Sequence, residues 1–513
     1  MVPQAKTRGN PPLPHSAPFA TPLWTGVVTA QLRAALAPLW QQPADRWGQP
    51  GSGLSVVKRS SVRTVLHGTL GDGLQVHVKL FLVGRLSDRA RDALLGSRAD
   101  RELRHLLAAR ALGLPAVEPL AAAASAQGAT AHSCLVTRSV PHAQPFTFSA
   151  PAATLRRVGE LLARAHDAGV LAPDLHPGNI VLDAEHSPWL LDLTAMRHTG
   201  LVDLAQRARA LAFFCQSLDA GPLDPSAGEL LAAYLRAGAA LPPAFRPLLA
   251  RAHRQVRLHA LVAFGRRSSR ACRHTQLSTD HPARWFVHRP HGEDPSPELL
   301  AACRAFASAP PTPHKTGRRG AVWLLPDLVI KARAASKAAQ LFRAHYWLLF
   351  AGVPAAAPVA LRLRIGQGLM FARRLPGTDL ARELAARPLP ARAAVRSAAH
   401  LGQAIGRLHA HGLRNRDLKF DNLLRDPNSG VVSLFDLDGI RRKRPSDTRG
   451  QGQDLGRLFA AFAAAGEPGG ALAVRAFLRG YARARRRLLQ PGPLPRLLRV
   501  AALRAQAWAS AHR

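Results

Sequence analysis

The chain has 513 residues, room for two or three domains, and 47% of them are hydrophobic, too many for a disordered polymer. Seventy Lys and Arg against 32 Asp and Glu leave a formal charge of +38. That excess implies either an anionic partner (nucleic acid, acidic lipid, polyanionic substrate) or a solvated basic surface set by arginine-rich composition. The two densest basic runs, Arg441-Arg442-Lys443-Arg444 and Arg483 to Arg487, are not interleaved with aromatics, so base stacking on nucleic acid is not indicated. The four cysteines (Cys134, Cys215, Cys272 and Cys303) are scattered and form no CxxC, which points away from zinc and from a disulfide framework and toward a reducing cytoplasm. The Pro-rich stretch from Met1 to Pro22 lacks the apolar core of a signal peptide. No apolar run reaches the ~18 residues of a membrane span, so any membrane contact would be peripheral.

In chain order, residues 1–50 read as a loose arm with one short amphipathic helix, Thr29 to Trp40. Strands are expected at Leu54 to Lys58, Val62 to Leu70 and Leu74 to Leu82, joined by a Ser60-Ser61 turn and an Asp72-Gly73 hairpin. A helix follows over Arg98 to Leu112, stopped by Gly113 and Pro115. A polar, Pro-rich stretch from His281 to His314 reads as a linker holding one short helix. The same order then returns: a Gly317 to Gly320 turn, strands at Ala321 to Leu325 and Leu328 to Ala332, and a helix Ala338 to Ala351 stopped by Gly352 and Pro354.

The repetition is quantitative. His166, Gly169, Asp174 and Asn179 recur 243 positions later as His409, Gly412, Asp417 and Asn422, and the apolar pair Ile180-Val181 recurs as Leu423-Leu424. The expected domains are therefore 51–290 and 314–513, with the arm 1–50 before them and the linker 291–313 between.

These residues suit phosphoryl transfer, which needs placed charges more than covalent chemistry: a lysine on the phosphates, oxygen ligands for Mg²⁺, and an acid beside the attacking hydroxyl. In the first copy Lys79 lies in the apolar strand VHVKLF, where a buried ammonium needs an acidic partner, and Glu102 on the next helix is placed to be that partner. Asp174 and Asn179 stand five apart on a loop, and Asp192 closes another apolar strand. The second copy offers Lys331, Asp417, Asn422 and Asp436, with Lys419 two residues after Asp417 where the first has His176. No acid stands near Leu341, the position matching Glu102, so Lys331 has no evident partner. His166 and His409 read as packing or capping residues.

Both halves resemble the lipopolysaccharide kinase family, which contains the bacterial Kdo and heptose kinases and belongs to the protein-kinase superfamily. The first does so through KRSSVRTVLHGTLGDGLQVHVKLF, HDAGVLAPDLHPGNIVLD and LLDLTAMR. The second does so through VIKARA, RRLPGTDL, LHAHGLRNRDLKFDNLL and LFDLDGIR. The resemblance implies an α+β chain of two tandem bilobal kinase-like folds, each with a small antiparallel β-rich lobe and a helical lobe. It implies that Lys79 and Lys331 hold ATP and that Asp174 and Asp417 act as bases. Asn179 with Asp192, and Asn422 with Asp436, would bind Mg²⁺, and Asp203 and Asp454 would brace the catalytic loops. Neither copy has a clear Gly-rich phosphate loop; Ser60, Ser61 and Arg63 stand there in the first.

The implied activity is ATP-dependent phosphorylation of a sugar hydroxyl in lipopolysaccharide or a related envelope glycolipid, an anionic acceptor at an anionic membrane face. A protein or small-alcohol acceptor, such as an aminoglycoside or choline, and a regulatory pseudokinase role for one or both copies remain open.

Overall fold

The division of the chain in the computed structural model falls within the helix Phe245–Arg266, giving units of Met1–His253 and Arg254–Arg513. The described residues are 16–60, 62–71, 73–83, 91–92, 94–125, 131–216, 225–238, 241–318, 320–444, 447–464 and 470–488. Ser61, Asp72, Arg319 and residues 1–15, on which parts of the expected turns and arm fall, lie outside them, as do the side chains at 486 and 487 in the second basic run.

Each unit opens with a seven-stranded antiparallel sheet. In the first unit the strands are β1 (Ser16–Ala20), β2 (Trp24–Thr29), β3 (Leu54–Arg59), β4 (Arg63–Leu70), β5 (Leu74–Val83), β6 (Pro119–Ser125) and β7 (Ala131–Arg138), in the order β1-β2-β6-β7-β5-β4-β3. Small pairs follow: β8 (Gln144–Pro145) with β10 (Ile180–Leu182) and β11 (Pro188–Leu190), and β9 (Val170–Leu171) with β12 (Arg197–His198). In the second unit the sheet strands are β13 (Thr275–Asp280), β14 (Ala283–His288), β15 (Lys315–Gly317), β16 (Gly320–Leu324), β17 (Leu328–Ala334), β18 (Pro358–Leu363) and β19 (Gln367–Arg373). Their order is β13-β14-β18-β19-β17-β16-β15, the first order repeated. The small strands β20 (Thr378–Asp379), β21 (Leu413–Asn415), β22 (Leu423–Arg425), β23 (Val432–Leu434) and β24 (Ile440–Arg442) likewise form β20-β22-β23 and β21-β24. The α+β class and the antiparallel small lobes are as the sequence implies.

The arm and the linker need correction. Residues 16–29 are a hairpin whose β2 pairs with β6, and the following helix Arg33–Trp40 packs on the sheet with Trp24, Trp40 and Trp47, all nearly fully buried. Trp24 and Trp47 stack at 4.9 Å. Residues 275–288 are the matching hairpin of the second sheet, with β14 paired to β18, and the helix Pro297–Ser308 covers that sheet with Leu299, Cys303 and Phe306 against Trp285, Trp323 and Phe371. Both segments carry several prolines, but each supplies a few large apolar side chains, and burying those stabilises an edge hairpin better than solvent does. The repeating element therefore starts at Ser16 and again at Thr275.

In each unit one long helix follows the sheet's β5 or β17 strand: Arg98–Ala111, started by a Ser97–Asp100 capping box, and Ala335–Ala351, ended at Gly352 with φ +60°. The helical lobes are built on crossings at glycine. A Cβ at Gly159 in helix Ala152–Asp167 would lie 2.3 Å from the Leu230 carbonyl oxygen; one at Gly402 in helix Ala391–Ala410 would lie 2.1 Å from that of Phe477. Only glycine permits so close an approach.

Candidate active sites

In the first unit Lys79 sits in the middle of β5, opposite Val65 on β4 and Leu135 on β7, with its ammonium turned from water. It forms an ion pair with Glu102, which is fully buried on the helix Arg98–Ala111, and donates to the Leu191 carbonyl at 2.8 Å. Burial pushes the Glu102 carboxyl above its ordinary value despite Lys79. The helix is fixed toward the site a second time, because His105 Nδ1 lies 2.8 Å from the Leu193 carbonyl.

The β10–β11 hairpin brings the proposed metal ligands together. Ile180 pairs with Leu190, and the Leu191 amide donates to the Asn179 carbonyl at 3.0 Å, so Asn179 and Asp192 emerge side by side at its open end. Asp192 accepts from Arg63 at 2.6 Å, and the Thr194 hydroxyl lies 2.7 Å from Asp192 and 3.0 Å from Glu102. Burial works against ionisation of Asp192, yet the Lys79 charge, Thr194 and Arg63 outweigh it and hold the carboxyl well below its ordinary range. Asp174 lies exposed on the loop, close enough to Asp192 for the two carboxylates to repel; shielding from water first, and Asp192 next, raise its pKa.

The second unit repeats the hairpin: Leu423 pairs with Leu434, and the Phe435 amide points at the Asn422 carbonyl at 3.4 Å, setting Asn422 beside Asp436. The loop carrying Asp417 is tied at both ends. Asn422 Nδ2 donates to the Asp417 carbonyl at 2.8 Å, the Asp417 amide donates to Asn415 Oδ1 at 3.1 Å, and the Arg416 amide donates to the Gly439 carbonyl at 3.1 Å. Lys419 is exposed and pairs with Asp421 at 3.6 Å; it is not seated against Asp417.

Lys331, expected to lack a partner, has two. Its ammonium lies 2.8 Å from Asp436 and 3.6 Å from Asp438, and Arg333 holds Asp438 at 2.8 Å. Leu341 fills the helix position with apolar bulk. The sequence motif DLDG contained Asp438, but nothing local ties it to a lysine 107 residues earlier.

The brace differs as well. Asp454 is fully buried and accepts from Arg414 at 3.0 Å and from the Asn415 amide at 3.1 Å, with His409 Nε2 at 3.4 Å, so it fastens the catalytic loop as expected. Asp203 does not. It is exposed and caps the helix Leu204–Gln216 through the Gln206 amide, at 2.8 Å, as Asp447 caps the next unit's helix through Gly450. Counting from those caps, Ala210 stands where Asp454 does, and Ala172 stands for Asn415; a cavity of about 20 Å³ lined by Ala172, Ala210 and His166 is left there. Arg207 takes over part of the task, pairing with Asp167 at 2.5 Å and donating to the His166 carbonyl at 3.2 Å. His166 and His409 are packing residues, bonded at 2.8 Å to the hydroxyls of Tyr234 and Tyr481.

An ion-paired strand lysine, a helix glutamate and a hairpin ending in Asn and Asp, with an Asp-bearing loop beside it, are what the sequence match must account for. Residues 53–212 match the model of the lipopolysaccharide kinase (Kdo/WaaP) family. Over that stretch the chain is similar to the lipopolysaccharide kinase family. The matched segment runs from the start of the core strands into the helix Leu204–Gln216 and contains Lys79, Glu102, Asp174, Asn179 and Asp192. The second site lies outside it, and its likeness to the lipopolysaccharide kinase segment rests on the repeated motifs and strand order. A search of curated proteins found no match to the chain. Among the described residues no group of three His, Cys, Asp or Glu forms a metal cluster, and no helix is long and apolar enough to cross a membrane.

Proposed function

We propose that the chain transfers the terminal phosphate of ATP to a sugar hydroxyl of lipopolysaccharide core or a related envelope glycolipid, at sites built around Lys79 and Lys331. The observation that carries this reading is the Lys79–Glu102 pair beside an ionised Asp192 and Asn179. Lys79 and Lys331 would contact the nucleotide phosphates. Asn179 with Asp192, and Asn422 with Asp436, fit Mg²⁺, which takes hard oxygen ligands, keeps several waters and needs only one or two protein carboxylates. The metal would neutralise charge on the phosphates. Asp174 and Asp417 would accept the acceptor hydroxyl's proton. Lys419 would lie near the transferred group after leaving Asp421.

The basic surface favours an anionic acceptor and peripheral contact with an anionic membrane, on the cytoplasmic side where ATP is available. Labelled ATP offered with lipopolysaccharide core oligosaccharide, with proteins and with small alcohols tests the acceptor. Label on the oligosaccharide is the expected result. Label on protein or on an aminoglycoside alone would replace this acceptor with that one, and label on none would remove the activity.

A further inference from the structure

The two units solve one electrostatic problem with the acid in different places. A lysine central in a kinase-like sheet needs an anion that keeps it extended toward the phosphates while the neighbouring metal-ligand Asp is otherwise engaged. In the first unit that anion is Glu102 on the helix, and the position two after Asp192 is a neutral Thr194 that touches both carboxylates. In the second unit the helix position is Leu341, and the position two after Asp436 is Asp438. The local turn is the same: the Thr194 amide donates to Asp192 Oδ1 at 3.3 Å, and the Asp438 amide donates to Asp436 Oδ1 at 3.2 Å. Since Thr194 Oγ1 is 3.0 Å from Glu102, the side chain two after the metal-ligand Asp reaches the space that the helix acid fills. Glu with Thr in one unit has become Leu with Asp in the other.

We infer that Asp438 is the positioning acid for Lys331, replacing the helix glutamate, and that the second unit is a nucleotide site rather than a degenerate copy. The inference rests on the phosphotransfer reading above. Lys331 now lies 2.8 Å from Asp436, but that carboxylate is the one a metal would draw on. Asp438, at 3.6 Å, is the remaining anion beside the lysine. Arg333 fixes it from the far side at 2.8 Å, so Asp438 is held in place independently of Lys331. Arg333 has no basic counterpart in the first unit, where Phe81 stands two after Lys79. In the second unit this cation and the displaced acid stand together.

The test uses the full chain with the other unit's lysine removed and reads Mg²⁺-ATP affinity by calorimetry, alongside melting temperature without nucleotide. In the Lys79→Ala chain, Asp438→Thr weakens Mg²⁺-ATP by about tenfold or more, the scale of one charge-assisted hydrogen bond, and adding Leu341→Glu restores it. Because a glutamate at a buried apolar position can unfold its helix, the reverse exchange is run in the Lys331→Ala chain. There Glu102→Leu weakens binding and Thr194→Asp restores it. Rescue by the acid in either unit supports the assignment, since a purely structural role shifts melting without rescue of affinity. Unchanged affinity in Asp438→Thr, or loss without rescue in both units, overturns it. If the Lys79→Ala chain binds no Mg²⁺-ATP at all, the phosphotransfer reading of the second unit fails first and takes this inference with it.

Discussion

At the scale of single residues the site is a set of opposed pKa shifts. Asp192 is held ionised, suited to a metal, while partial burial and the Asp192 charge raise Asp174 above the value of a free Asp, suited to a proton acceptor. Asp174 works only when ionised, so turnover by the first unit must fall as pH drops through its raised pKa. A pH profile of kcat/KM in an Asp417→Asn chain should show an acidic limb above ~3.9, the value of a free Asp; a limb at or below that value contradicts the role. Asp454 shows the opposite linkage. Burial would raise its pKa, but His409 and Arg414 hold it below the ordinary value, so its stabilisation is full above the unfolded pKa and is lost as pH falls through the folded one. Asp454→Ala removes the buried carboxylate shared by Arg414, His409 and the Asn415 amide, leaving Arg414 only the half-buried Asp447 as an ion partner, and should cost about 3–5 kcal/mol. The check is faster amide exchange over residues 413–425 at neutral pH, with the difference from wild type shrinking in acid; unaltered exchange argues against the brace. Asp174, Asn179 and Asp192 were legible in the sequence because their spacing is local and repeated. The pairings of Asp438 with Lys331 and of Arg63 with Asp192 were not, because each joins residues more than a hundred apart that only the fold brings near.

At the scale of elements, each helical lobe depends on a helix pair that touches at a glycine and is then tied by a histidine–tyrosine bond. Gly159 and His166 do this in the first unit, against Leu230 and Tyr234; Gly402 and His409 do it in the second, against Phe477 and Tyr481. Gly402→Ala forces the helices apart and should destabilise the second lobe by about 1–3 kcal/mol, the cost of overpacking. Tyr481→Phe removes the hydrogen bonds to His409 and Arg485 and should cost about 1–3 kcal/mol. Thermal unfolding distinguishes the two, and equal melting of wild type and Gly402→Ala would contradict the close crossing. The core strands and the helices after them were readable from apolar alternation, from Gly113 and Gly352, and from the turn residues between them. The outer hairpins were not. Prolines in the first and polar residues in the second read as loop, and what makes them strands is pairing with β6 and β18, more than seventy residues away in each case.

At the scale of the whole molecule the chain is one architecture written twice, with the electrostatics redistributed between the copies. The first keeps the helix acid and has lost the buried brace. The second keeps the brace and has moved the acid to Asp438. Each departure is compensated within its own unit, by Arg207 in the first and by Arg333 with Asp438 in the second. A copy drifting free of function would be expected to lose such pairings rather than rebuild them. The most direct test of this account is the rate of phosphate transfer from ATP, with acceptor present, in the full chain carrying Asp174→Asn, Asp417→Asn, or both. The account predicts a loss in each single variant and a fall to background in the double variant with folding intact. Wild-type turnover in the double variant would contradict it.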